Sequence, residues 1–106
     1  MKNLPNDLEL GSFPGLHETM EIPFPEKEVL MHFIMDSGEW FAGEYDPNER
    51  LFYGYADLRP GRPEWRCFSL DELSGLRTSI LNLGVERDVC WMPKKVKEIP
   101  IISGGE

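Results

Sequence analysis

The sequence predicts a single α+β domain, built mainly on an antiparallel sheet of four to five strands with one or two short helices. The chain has 106 residues, a common size for one domain, and 41% of them are hydrophobic, which is enough for one core. Apolar and aromatic runs alternate with short turn sequences. Short connections make successive strands antiparallel neighbours, so these observations together indicate this fold class.

Residues 1–28 predict an irregular N-terminal arm. Proline or glycine occurs at positions 5, 11, 14, 15, 23 and 25, where it interrupts any helix or central strand. Apolar residues such as Phe13 and Ile22 indicate that the arm packs on the rest of the chain. The domain is expected to cover residues 29–99, and residues 100–106 are expected to form a loose tail.

Four predicted strands precede the first helix, at residues 29–35, 40–45, 51–58 and 64–68. They are rich in apolar and aromatic residues, and turn sequences such as DPNE at 46–49 separate them. In the third strand Tyr53 and Tyr55 point one way, and Phe52 and Ala56 point the other. One face is expected to pack under helices, and the other to need the arm or a partner to cover it.

The segments after the strands predict helices and one further strand. Ser69 and Glu72 have the spacing of a capping box, which predicts a helix that begins at Ser69 and continues to about residue 77. Residues 85–92 alternate as a strand does and predict a fifth one. Pro93 suits the first turn of a helix, so a short helix is expected over residues 94–99, with Pro100 ending it.

The formal net charge of −8 arises entirely from residues 1–50, which hold eleven acidic and three basic side chains. A negative field repels phosphates, so no direct nucleic-acid binding is expected, and it attracts basic partners. The alternative is that the acids keep the protein soluble. No apolar run approaches a membrane span and the N-terminus lacks a signal-peptide core, so we expect a cytoplasmic protein that binds no membrane.

No motif for a metal, a nucleotide phosphate or a catalytic nucleophile is present, so no catalytic residue, metal ligand or cofactor is predicted. Cys67 and Cys90 are expected to be reduced and partly buried, with a bridge between neighbouring strands as the alternative. A zinc site that combines them with His17 and His32 is supported by composition alone. His32 is interpreted as an ordinary strand histidine.

Glu86, Arg87 and Asp88 form the densest polar cluster. On a strand, Glu86 and Asp88 share one face and Arg87 takes the other. The cluster is interpreted as part of a cross-strand ion-pair ladder. The alternative is a small metal-dependent enzyme acting on nucleic acid or a nucleotide, in which Glu86, Asp88 and Glu44 serve as metal ligands or acid–base groups.

Spacing and residue type also suggest a protein-binding surface. Glu26 and Glu28, and likewise Glu44 and Asp46, are two residues apart, which in extended backbone is about 6.6 Å on one face. That distance is similar to the repeat of backbone phosphates, so a phosphate-mimicking surface is geometrically feasible. Tryptophan and tyrosine dominate binding hot spots. The predicted partner-binding residues are therefore Glu26, Glu28, Trp40, Glu44, Asp46 and Tyr53.

Five short sequence motifs follow one another along the chain: WFAGEYDP at 40–47, LFYG at 51–54, FSLDEL at 68–73, GVERD at 84–88 and WMPK at 91–94. In this order they resemble a small family catalogued as a domain of unknown function, number twenty-nine fifty-eight, over about residues 29–99. Such proteins are similar in being encoded on plasmids, phages and integrated elements, often near anti-restriction and conjugation genes. The resemblance implies a mobile-element accessory protein and implies no mechanism.

The leading hypothesis is a non-enzymatic accessory protein whose acidic surface engages a basic or nucleic-acid-binding protein, in a role against host defence. The small enzyme described above is the first alternative. A homo-oligomer that forms through an open sheet edge is the second.

Overall fold

The computed structural model describes residues 3–36, 38–58, 61–76 and 84–103. Its helices are α1 (Asp7–Leu10), α2 (Leu70–Gly75) and α3 (Pro100–Ser103), with 3₁₀ turns at Phe24–Glu26 and Val96–Glu98. Its strands are β1 (Glu28–Val29), β2 (Met31–Met35), β3 (Gly38–Asp46), β4 (Leu51–Leu58), β5 (Glu64–Ser69), β6 (Glu86–Arg87) and β7 (Lys94–Lys95). No helix in these ranges is long and apolar enough to cross a membrane.

The main sheet has the strand order β5-β4-β3-β2-β6, and each neighbouring pair is antiparallel. The predicted α+β class with a mainly antiparallel sheet is confirmed. The β2-to-β5 part is a meander, as the short turns predicted. The predicted strand at 51–58 has the observed bounds, and β3 and β5 extend the predictions by one or two residues.

The predicted strand at 29–35 is divided at Leu30. Leu30 N donates to Ala42 O at 2.9 Å, and the chain before it leaves the main sheet to pair as β1 with β7. The predicted fifth strand at 85–92 is reduced to β6, because the Asp88 side chain accepts from Cys90 N at 3.1 Å and turns the chain. The prediction of a strand through residue 92 was therefore wrong in extent.

The C-terminal segment also differs from the prediction. The residues after Pro93 form β7 and a 3₁₀ turn rather than an α-helix. Pro100 begins α3 instead of ending a helix, as a proline can at a first helical position. The segment expected to be a loose tail therefore starts with a helix, in which Ile102 is buried.

Local chemistry explains the helix starts. The Ser69 hydroxyl accepts from Glu72 N at 2.8 Å, so the predicted N-cap of α2 is confirmed. The described part of this helix ends at Gly75, and residues 77–83 lie outside the described residues. In the arm, where no helix was predicted, Asn6 and Glu9 form a capping box that begins α1.

The main sheet has a hydrophobic cluster on each side. We call the side of Phe33, Trp40 and Phe52 the first face; it packs against Leu10 and Phe13 of the arm and against α2. The opposite side is the second face, where Val29, Phe41, Val96, Ile99 and Ile102 form a smaller cluster. The C-terminal segment therefore covers a surface for which the sequence predicted the arm or a partner.

A β-bulge at Gly43 shifts the register of β3 against β4, between Ala42 and Glu44. As a result Ala42 and Tyr45 both join the first-face cluster, and the side chain of Glu44 reaches the arm. A Cβ at position 43 would lie 2.9 Å from Glu28 O, so β1 can pass this closely only because the residue is glycine.

Candidate functional site

Glu44 fastens the arm to the sheet. Its carboxylate accepts from His17 N at 2.8 Å, from Thr19 N at 3.3 Å and from the Thr19 hydroxyl. Glu44 is 4% exposed, so these donors replace the water that a carboxylate needs. His17 has a φ of 71°, in the left-handed region, where the turn brings its amide to the carboxylate.

Lys27 also binds Thr19. It is buried, and its Nζ donates to Thr19 O and, at 2.8 Å, to Thr19 Oγ1. Thr19 thus lies between a buried carboxylate and a buried ammonium group. The two charges offset each other and fix the arm where it crosses the sheet.

A groove of about 460 Å³ lies beside this anchor, between the arm and the second face. Met20, Ile22, Phe24 and Lys27 of the arm line it, together with Glu44 and Tyr53 of the sheet. Burial raises the pKa of the Tyr53 hydroxyl, with smaller contributions from Glu44 and Cys67. We call this region the open half of the second face.

The other part of the second face, which we call the covered half, centres on His32. Its ring nitrogens lie 3.0 Å from Glu39 Oε1 and 3.0 Å from Asp88 Oδ2, and its ring stacks on Phe41 at 4.6 Å. Trp91 packs on the imidazole at 5.0 Å. The hydrogen bond from His32 holds the pKa of Asp88 below its usual value. With both nitrogens occupied, this histidine is poorly placed for proton transfer to a ligand.

The predicted cluster of Glu86, Arg87 and Asp88 is divided between several partners. Asp88 binds His32, and Glu86 is exposed on the edge strand β6. Arg87 Nη2 lies 2.7 Å from Glu9 Oε2 in α1, and this contact lowers the pKa of Glu9 to about 2. The cluster therefore ties the arm and the β6 edge to the sheet, and the ion pairs run to other segments rather than along one ladder.

The predicted partner-binding residues are in very different environments. Trp40 is 2% exposed in the first-face core and is unavailable to a partner. Glu44 is the buried anchor. Glu26 pairs with Lys95 and Lys97 at 2.9 and 2.8 Å, which lowers its pKa to about 2. The sequence could not show this compensation, because the lysines are about 70 residues away along the chain.

Three predicted residues remain accessible. Glu28 is exposed but lies opposite Lys95 in the β1–β7 pair, so its charge is partly offset. Asp46 is half-buried at the end of β3, where it accepts from Asn48 N at 3.2 Å. Tyr53 is half-buried in the groove and stacks on Trp65 at 6.0 Å. The two pairs of acids therefore do not form one phosphate-like row.

Another group of carboxylates lies together at one end of the sheet. Asp7 and Glu18 line a depression of about 370 Å³ with Tyr45, Pro47 and Arg50, and Arg50 pairs with Asp71 at 3.0 Å. Burial raises the pKa of Tyr45; the charge of Arg50 opposes this rise, and the charges of Asp71, Asp7 and Asp46 add to it. We call Asp7, Glu18 and Asp46 the acidic end. None of the three pairs with a cation within the ranges that the structure describes.

The carboxylates that the enzyme hypothesis requires are separately engaged. Glu44 holds the arm, Asp88 holds His32, and Glu86 is exposed. Among the described residues, no group of three histidine, cysteine or acidic side chains is close enough to hold a metal ion. Cys67 and Cys90 are free and exposed rather than partly buried, on strand β5 and after β6 at opposite edges of the sheet.

Sequence reasoning missed Thr19, Lys27 and the apolar arm residues beside them. Gly43 within a strand was the available signal, because an isolated strand glycine often marks a bulge or a close backbone approach. The run of Met20, Ile22 and Phe24 at every second position was another, since these side chains occur in a proline-rich arm.

A family model described as "Protein of unknown function (DUF2958)" matches residues 21–97. The match includes all seven strands and the groove residues from Glu21 to Tyr53. No curated protein and no solved structure matches the chain significantly.

Proposed function

The chain belongs to the family described as Protein of unknown function (DUF2958), and we propose that it is a non-enzymatic binding protein for a basic partner. In this proposal it serves as an accessory protein of a mobile element. Its acidic end binds a basic protein, such as a nucleic-acid-binding component of host defence.

The observation that carries the proposal is the acidic end itself. Elsewhere in the first half, Glu9, Glu26 and Glu39 lie within ion-pair distance of Arg87, of two lysines and of His32. Asp7 and Glu18 line a depression, and Asp46 lies next in the chain to two of its lining residues, Tyr45 and Pro47. None of the three acids has such a partner among the described residues, because Arg50, which also lines the depression, pairs with Asp71 at 3.0 Å. Carboxylates left uncompensated side by side attract cations, and a basic partner relieves their mutual repulsion.

The test uses a short lysine-rich peptide with a central alanine, titrated by fluorescence anisotropy at several salt concentrations. The variant is D7N/E18Q/D46N, because each amide keeps an oxygen that can accept the local hydrogen bond. The matched control is E72Q/E86Q/E98Q, which changes the net charge equally in the second half of the chain.

The variant at the acidic end should weaken binding about tenfold at low salt and flatten its salt dependence. Ionic contacts at a protein surface contribute up to about 1 kcal/mol each, and a loss of about 1.4 kcal/mol in total weakens binding tenfold. The control variant should lose less binding affinity. Equal weakening by both variants would show that the peptide responds to net charge alone. If the salt dependence of binding were the same in both variants as in the natural chain, the proposal would be wrong. Sedimentation of the free chain would reveal a homo-oligomer instead.

A further inference from the structure

Building on the proposed function, we infer that the groove of the open half receives a large apolar side chain of the basic partner. The partner segment carries that side chain next to a lysine or arginine, which faces Glu21 and the acidic end. The acidic end then supplies encounter and orientation, and the groove supplies the anchor that distinguishes this partner from other basic proteins.

The groove has the size and lining of an anchor pocket. Its volume of about 460 Å³ is within the range of small-ligand sites, and its lining is mainly apolar. Met20 is 73% exposed, and Ile22 and Phe24 are 41% and 44% exposed. Three neighbouring apolar side chains held this far into solvent are typical of an interaction surface.

The buried charged groups beside the groove, those of Glu44 and Lys27, already have partners. Glu44 accepts from two backbone amides and a hydroxyl, and Lys27 donates to Thr19 twice. A polar ligand group that bound to either of these two residues would have to displace their hydrogen bonds. An apolar side chain can instead enter against Met20, Ile22 and Tyr53 and leave every one of them intact.

The charge at the rim selects a basic segment. Glu21 lines the groove, is exposed and forms no ion pair with a described residue. Glu18 lies one turn earlier in the arm and lines the neighbouring depression of the acidic end. Lys27 is buried and offset by Glu44, and the imidazole of His17 is the other basic group among the described residues that line the groove. The carboxylate of Glu21 is therefore available to a basic group of the ligand at the groove, and Glu18 borders the neighbouring depression.

The experiment compares the alanine peptide used above with the same peptide carrying phenylalanine at its centre. The groove variant is M20S/I22S, and the matched control is V89S/M92S. Met92 is exposed to the same 73% as Met20, and Val89 is also exposed, so neither variant should disturb the core. Affinity is measured by anisotropy, and contact by amide chemical shifts of residues 17–24 and 53.

The phenylalanine peptide should bind the natural chain about tenfold more tightly than the alanine peptide, since its larger apolar side chain buries more surface in the groove. M20S/I22S should abolish that difference without weakening the alanine peptide, and V89S/M92S should preserve it. If both peptides bind equally, the groove inference fails while the acidic end stands. If neither binds, both fail. Concentration-dependent dimers that M20S/I22S disrupts would assign the groove to a second copy of the chain and overturn the inference.

Discussion

On the covered half of the second face, His32 is closed in by Glu39, Asp88 and Trp91, whereas on the open half Glu44 and Lys27 lie beside a groove. Both halves bury charged side chains and satisfy them internally. They differ in what packs above, because Trp91 lies on His32 in one half and the arm borders the groove in the other. The two halves therefore differ in whether other segments pack over them, and not in how polar they are.

The largest loss of stability is expected for His32→Ala in the covered half. The change leaves Glu39 and Asp88 facing each other without the imidazole and removes its stack on Phe41. We expect the free energy of unfolding, measured in urea, to fall by about 2–4 kcal/mol. Adding E39Q and D88N should restore part of the loss, because the like charges disappear. No restoration would contradict the ionic explanation.

A smaller effect is expected from Glu44→Ala in the open half. His17 N, Thr19 N and the Thr19 hydroxyl lose their acceptor, which should cost about 1–2 kcal/mol. Amide hydrogen exchange at residues 17 and 19 should accelerate, while exchange at residue 88 should not change. Ser69→Ala provides the control, since loss of the α2 cap costs about 1 kcal/mol on the first face. If that variant loosened the arm equally, Glu44 would not be its anchor.

The smallest effect is expected at low pH, where the ion pair between Glu9 and Arg87 of β6 is lost. The pKa of Glu9 is lowered from 4.5 to about 2 by Arg87, so its contribution to stability is complete above about pH 4.5 and is lost as the pH falls towards 2. Asp88 acts in the same direction through His32. Urea unfolding across this pH range should give a shallower decline for Glu9→Gln than for the natural chain. Parallel curves would mean that the Glu9–Arg87 contact adds no stability in solution.

Sequence alone predicted the parts of the fold that depend on neighbouring residues. The turn chemistry at 46–49 joins β3 to β4, and the side-chain period of two assigned Phe52 and Tyr53 to opposite faces. Ser69 caps α2 because the acceptor and the amide are three residues apart. These interactions are complete within a few residues, so tertiary context did not alter them.

The candidate site was predictable only in part. Tyr53 and the acidity of the first half were identified, but Trp40 is buried, Glu44 is an anchor, and Glu26 is neutralised by Lys95 and Lys97. A charge in a sequence does not show its partner, because Coulomb interactions depend on distances that folding sets. The acids left for a partner are those that no distant cation reaches within the described chain.

What the sequence by itself determined is therefore local: the strand faces, the turns, the cap and the sum of charges. The tertiary structure decided the rest, since the bulge at Gly43 redirects Glu44, and Trp91 packs on His32 while Tyr53 lines an open groove. These outcomes depend on residues far apart in the chain, such as Val29 and Trp91, whose contacts are made only when the whole chain packs.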